Sequence, residues 1–131
     1  MTVVAVYGSL RKGMGNHRLL ANQTFLSETK TVEKYAMYSL GGFPKIALEG
    51  DKVSQIVVEL YEVDEAGLAR LDMLEGYRGE GHSNFYDRSA VQCEDGNLAL
   101  IYHIERDGQR PADLVPDGDW VKFVHARGNR Y

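Results

Sequence analysis

Two places in the 131-residue chain combine residue type and position in a way that suggests chemistry: Glu75, and the turn Tyr7-Gly8-Ser9-Leu10. Glu75 ends the segment 65–75, just before Gly76. At about 100° per residue, Leu68, Leu71 and Leu74 form one apolar stripe on a helix. Glu75 stands four residues after Leu71 and seven after Leu68, so it projects between their directions and leans toward the core. Burial disfavours the charged form of its carboxyl, and the negative end of the helix dipole acts in the same direction. A carboxyl tuned upward toward neutral pH is suited to general acid/base work. A second outcome stays open on the pattern alone: the helix end turns Glu75 into solvent, or Glu75 pairs with Arg78 or Arg88.

The glycine turn follows a short apolar run. A strand that ends in such a turn exposes successive backbone N–H groups, which hold a carboxylate or phosphate. The Ser9 hydroxyl adds a donor, and Arg11 or Lys12 would add positive potential. A nucleotide loop is rejected: Gly8 and Gly13 satisfy Gly-x-x-x-x-Gly, but Met14-Gly15 stands where Lys-[Ser/Thr] is required. The dinucleotide fingerprint fails as well, because Gly13-Met14-Gly15 lacks its third glycine. No serine has the Gly-x-Ser-x-Gly setting of an esterase nucleophile. Cys93, the single cysteine, has no adjacent base to activate it and is expected to be structural. The four histidines never occur at metal-ligand spacing, so no metal is expected.

The elements that must position these residues are short. Thr2 to Tyr7 is a strand buried on both faces, and residues 8–15 form a loop. Asn16 is placed to cap a short helix through Ala21. Strands are expected over 32–40, 53–63, 86–94 and 98–105, with Gly41 to Pro44 breaking the first and Asp95-Gly96-Asn97 joining the last two. Ile56, Val58 and Leu60 share one face; Val57, Tyr61 and Val63 share the other. Asp64 is an N-cap and Gly76 a C′ residue for helix 65–75. Asp119 caps a further short helix from Trp120. Mostly neighbouring strands with few crossover helices imply an α+β fold: a curved, mostly antiparallel sheet or small barrel flanked by short helices.

Composition narrows the class. With 44% hydrophobic and 26% charged residues there is material for a core, and 131 residues make one domain. A net charge of −4 with scattered basic residues argues against nucleic acid as the partner. No stretch approaches the roughly 20 apolar residues of a membrane span, and the N-terminus has no basic region of a signal peptide. One cysteine fits a reducing, cytoplasmic setting. Oligomeric state is not set by the sequence.

Taken in order, the blocks resemble one family. Tyr7-Gly8-Ser9-Leu10 after an N-terminal strand, with Gly13 and Asn16 behind it, resembles the opening signature of the γ-glutamylcyclotransferase-like (AIG2-like) superfamily. Leu71-Asp72-Met73-Leu74-Glu75 resembles its Leu-Asp-x-x-Glu segment, and Tyr86-Asp87-Arg88 with Val91 its Tyr-x-Arg-x-x-Val strand. Glu59-Leu60-Tyr61-Glu62-Val63 matches a further run in part, lacking the usual glycine. The resemblance implies a small β-barrel with a pocket beside the first loop, in which the Tyr7–Leu10 turn binds the α-amino-acid end of a γ-glutamyl substrate. It makes Glu75 the acid/base and puts Tyr86 in the pocket wall; Tyr102, Phe43 and Pro44 are further candidates for lining it. Arg88 is expected to orient a carboxylate or brace the barrel. The implied reaction is cyclisation to 5-oxoproline with release of an amine, needing no cofactor. The glycine-rich loop 76–84 is longer than in several relatives, so the identity of the amine is not carried over. Two alternatives stay open: a non-catalytic binding or regulatory module on the same scaffold, and removal of a γ-glutamyl protecting group from a larger intermediate.

Overall fold

In the computed structural model, which describes residues 1–105 and 110–128, the N-terminal apolar run forms β1 (Thr2–Val6) inside a six-stranded sheet. It pairs antiparallel with β4 (Ser54–Val63), Ala5 facing Leu60, and parallel with β6 (Leu98–His103), Ala5 facing Ile101. A strand paired on both sides and covered on both faces must be apolar at successive positions; Val4, Ala5 and Val6 are all buried. Together with β2 (Thr24–Ser39), β3 (Pro44–Ala47) and β5 (Asp87–Gln92), the order is β3-β2-β4-β1-β6-β5. The other pairings are antiparallel, as expected.

The sheet curls until its margins meet, but it does not close into a barrel. Thr31 forms an isolated bridge with Cys93, just past β5, and Glu94 N–H donates to the Lys30 carbonyl at 2.9 Å. Ile104 N–H donates to the Ile46 carbonyl of β3 at 3.0 Å. Glu105 fastens the same margin: its carboxylate accepts from the N–H groups of Leu48 and Glu49 at 2.7 and 2.9 Å. It also stands 2.7 Å from His103 Nδ1, while His103 Nε2 lies 2.7 Å from Ser89 Oγ. Each edge strand ladders along its length with its inner neighbour, while across the meeting margins an isolated bridge, single bonds and side chains pin the curl.

Alternation along β4 separates two apolar layers. Ile56, Val58 and Leu60 face the inside of the curl with Ala5, Met37, Ile46, Ile101 and Trp120. Tyr61 and Val63 face outward, where Val4, Val6, Leu71 and Tyr102 join them beneath helix α1 (Glu65–Glu75). The Asp64 side chain accepts from Gly67 N–H at 2.7 Å and starts α1. Gly76, at φ 69°, ends it: Gly76 N–H reaches the Met73 carbonyl and Tyr77 N–H the Asp72 carbonyl, a Schellman arrangement. Helix α2 (Trp120–Ala126), capped by Asp119, inserts fully buried Trp120 into the inner layer.

Three local expectations change. The strand expected over 32–40 begins at Thr24, and a further strand, β3, starts at Pro44, where the sequence reads as a break. Residues 17–20 form a 3₁₀ turn that Asn16 does not cap; its side chain is used elsewhere.

Candidate active site

At the end of β1 the sheet opens a cavity of about 350 Å³. All six residues singled out from the sequence lie on its wall: Tyr7, Gly8, Ser9 and Leu10 from the turn, Glu75 from the last turn of α1, and Tyr86 from the segment entering β5. Tyr7 Oη donates to the Tyr102 carbonyl and Tyr86 Oη to the Pro44 carbonyl, each at 2.6 Å. Both phenols therefore act as struts between neighbouring segments. Gly8 is required by proximity rather than by backbone angle: a Cβ there would lie 2.9 Å from both Cγ and Cδ of Pro44.

The turn is wired as a donor site. Among the described residues, the N–H groups of Gly8, Ser9 and Leu10 donate to no protein acceptor. Asn16 Nδ2 donates to Ser9 Oγ at 2.9 Å, and Asn16 N–H to the Ser9 carbonyl at 2.9 Å. With a lone pair of Oγ occupied, the hydroxyl hydrogen of Ser9 is left to point at an acceptor in the cavity. The expected cationic contribution of Arg11 and Lys12 is not found. Arg11 is 4% exposed and turns away from the cavity. It donates to Glu59 Oε2 and Asp119 Oδ1, each at 2.9 Å, and to Glu28 Oε1 at 3.3 Å. Lys12 N–H donates to Glu59 Oε1 at 2.9 Å, while its ammonium sits 3.4 Å from the centre of the Phe25 ring. These contacts fix the loop; they put no positive charge on the cavity wall.

Glu75 is half-buried, and burial pushes its carboxyl up from 4.5 to about 7. Tyr86 N–H donates to the Glu75 carbonyl at 3.1 Å, tying the strand entrance to the helix end. Burial also raises the phenols of Tyr7, Tyr86 and Tyr102, and the charge of Glu75 adds to each; all four residues line the cavity. The open alternative for Glu75, a pair with Arg88, is not realised: Arg88 Nη1 holds Asp72 at 2.8 and 2.6 Å, with its guanidinium 4.5 Å over the Tyr77 ring. Tyr102 Oη donates to the same carboxylate at 2.7 Å. Arg88 thus orients a carboxylate of the fold, Asp72. Among the described residues Glu75 has no ion pair, with Arg78 or any other cation.

Asn16 and Tyr102 join the wall beside Phe43, Pro44 and Phe85. The sequence presents Asn16 as a helix cap and as a member of the signature behind the turn, but its seven-residue distance to Ser9 has no periodic meaning that would pair the two. Among the described residues, no group of three or more His, Cys, Asp or Glu side chains is placed to hold a metal ion. No helix among them is long and apolar enough to cross a membrane.

Comparisons with known proteins bear on the fold and the family. The chain matches the family model described as gamma-glutamyl cyclotransferase, AIG2-like, over residues 4–122. The Methanocaldococcus jannaschii protein MJ1514, which carries a provisional gamma-glutamylcyclotransferase name, is 49% identical over 129 residues, covering 94% of this chain and 98% of the relative. A Niallia circulans protein named gamma-L-glutamyl-butirosin B gamma-glutamyl cyclotransferase is 35% identical over 129 residues, 94% of this chain and 79% of its own. Among solved structures, a mouse AIG2-like protein superposes with a TM-score of 0.80 at 25% identity, covering 100% of this chain and 95% of its own. This chain therefore belongs to the γ-glutamylcyclotransferase, AIG2-like family.

Proposed function

We propose that residues 1–131 form one catalytic domain that cyclises a γ-glutamyl compound to 5-oxoproline and releases the attached amine, with Glu75 as the general acid/base. The observation that carries the proposal is the meeting of an uncompensated, half-buried carboxyl and an unoccupied donor turn on one cavity wall. In this reading the substrate's α-carboxylate rests on the N–H groups of Gly8, Ser9 and Leu10 and on the Ser9 hydroxyl. Tyr7 and Tyr86 wall the folded glutamyl chain and keep its α-nitrogen close to its own γ-carbonyl.

Holding the chain folded turns ring closure into an intramolecular event with most of the entropic barrier already removed. The bond between the α-nitrogen and the γ-carbon forms, and the bond from the γ-carbon to the leaving nitrogen breaks. An ammonium has no lone pair to attack with, so the α-nitrogen reacts as the free amine after giving one proton to solvent; Glu75 takes its second proton as the ring closes and passes that proton to the departing nitrogen, which leaves as the neutral amine. A carboxyl near pKa 7 is basic enough for the first transfer and acidic enough for the second. Neither water nor an oxidant is consumed.

The experiment is to incubate the purified chain with γ-glutamyl amines, amino acids and peptides and to measure 5-oxoproline. The expected result is product from at least one conjugate and a loss of at least 100-fold in kcat for Glu75→Gln, in line with the usual worth of a general acid/base. Full activity in Glu75→Gln removes the residue from the chemistry.

A further inference from the structure

We propose that Asp72, which does not itself line the cavity, is a positioning residue for Glu75: clamped by Arg88 and Tyr102, it fixes the rotation of the last turn of α1 and so the direction of the Glu75 carboxyl. The kinetic consequence rests on the cyclotransferase reading above; the placement of the carboxyl does not.

Apolar packing alone leaves that direction unset. Leu71 is the last buried residue of α1; beyond it Met73 is 84% exposed, Leu74 sits on the cavity rim and the helix ends at Glu75. Successive helical residues are turned by about 100°, so a modest roll of an unpacked last turn would carry Glu75 from the cavity into water. Asp72 stands three residues before Glu75, one turn back on nearly the same side. Its carboxylate accepts from Arg88 Nη1 at 2.8 and 2.6 Å and from Tyr102 Oη at 2.7 Å. Arg88 and Tyr102 are directly opposite each other across β5 and β6. The sheet therefore presents them side by side as donors, and a carboxylate bound to both has one place to sit. The Asp72 carbonyl is used as well, accepting from Tyr77 N–H at 2.9 Å.

Tyr102 supplies the other half of the device. Its hydroxyl holds Asp72 while its carbonyl accepts from Tyr7 Oη at 2.6 Å. Tyr7 leads into the donor turn and Asp72 leads into Glu75, so one residue of β6 is the common reference for both sides of the cavity. Charge fits the same arrangement. Arg88 pairs with Asp72, so the like charge one turn away is answered before it reaches Glu75, whose carboxyl is raised by burial. The other titratable side chains on the cavity wall are the phenols of Tyr7, Tyr86 and Tyr102. All three are raised above their usual value and stay uncharged near neutral pH.

Asp72→Ala and Tyr102→Phe test the clamp in the intact chain. Alanine is a better helix former than aspartate, and Tyr102→Phe keeps the ring and the carbonyl, so both variants should fold. The Glu75 carboxyl is followed by carbon-13 NMR through a pH titration, its signal identified by its loss in Glu75→Gln. The expected midpoint is about 7 in the wild type, and about one unit lower or more in both variants as the carboxyl swings toward water. Tyr102→Phe isolates the cause. It removes no charge, and losing a hydroxyl makes the wall less polar, which by itself would raise the midpoint. With a γ-glutamyl conjugate that yields 5-oxoproline, kcat in Asp72→Ala should fall at least about tenfold, since a misplacement of about 1 Å costs about 100-fold. KM should change by less than about threefold, because the donor turn is intact, and the acid limb of the pH profile should move down with the titration. A midpoint in Tyr102→Phe equal to or above that of the wild type overturns the proposal, whatever the activity. If no conjugate yields 5-oxoproline with the wild type, the cyclotransferase reading fails instead, and the titration still decides what holds Glu75.

Discussion

Removing the negative charge at Glu75 should make the protein more stable at the pH where it makes it inactive. Burial raises the carboxyl from 4.5 to about 7, so the folded state binds its proton more tightly than the unfolded chain does. Below pH 4.5 both states are protonated and the group contributes nothing. As pH rises between the two values the unfolded chain ionises freely while the folded protein resists, and stability falls; above pH 7 the loss is complete. At about 1.4 kcal/mol for each tenfold difference in proton affinity between the two states, the full loss is about 3 kcal/mol. Glutamine keeps the shape of the protonated acid and cannot ionise, so Glu75→Gln is free of this loss. Urea denaturation of both proteins from about pH 5 to about pH 8 should show the variant gaining on the wild type by about 2 kcal/mol across that span. Wild-type kcat/KM should rise over the same interval as the base form of Glu75 appears. A difference in stability that is flat with pH would mean the carboxyl is not desolvated, and the argument for a tuned acid/base would fail with it.

Three further changes probe the parts that hold this group's partner in place. Asn16→Asp replaces a donor to Ser9 Oγ with an acceptor, so the hydroxyl turns away from the cavity; KM for a γ-glutamyl substrate should rise at least tenfold, and more than kcat falls. Gly8→Ala forces a Cβ against the Pro44 ring and should cost about 1–3 kcal/mol in urea denaturation, with reduced turnover because cavity wall and turn are pushed apart. Arg11→Met leaves Glu59, 3% exposed, without its cation and should cost about 3–5 kcal/mol. The double variant Arg11→Met with Glu59→Leu should be more stable than Arg11→Met alone, which a double-mutant cycle measures.

What the sequence disclosed and what it hid follow from the range of the forces involved. α1 was legible because its signals are local: Asp64 at one end, Gly76 at the other, and leucines at helical spacing between them. The wheel gave the direction of Glu75 but misplaced Leu74, which lies on the cavity rim and not in the core. The last turn of α1 overhangs the end of the sheet, where there is no core left to face. The first half of β2 carries no clear local signal because it is mostly exposed; with little apolar alternation, its pairing with the distant β4 makes it a strand. β3 is four residues long and offers no period to detect. Arg11 looked like an ordinary loop cation. Its burial depends on Glu59 and Asp119, 48 and 108 residues away in the chain, and no local pattern carries that information.

The site itself is a consequence of element lengths. β4 runs antiparallel to β1, with Val63 opposite Thr2, so α1 starts beside the beginning of β1 and must travel back along the outer face. Its 11 residues cover about 16 Å at 1.5 Å per residue. From Thr2 to Tyr7 the extended chain covers about 16 Å as well, at roughly 3.3 Å per residue. The helix therefore ends level with the turn that ends β1, and its final carboxyl shares a cavity wall with that turn. Once β1 and β4 are paired, no further instruction is needed to bring the Glu75 carboxyl and the donor turn to one cavity; a five-residue strand and an eleven-residue helix leaving from the same end of the sheet have their far ends at the same height. Gly76 then stops the helix before it passes the cavity, which makes the position of that glycine as consequential for the site as the identity of Glu75.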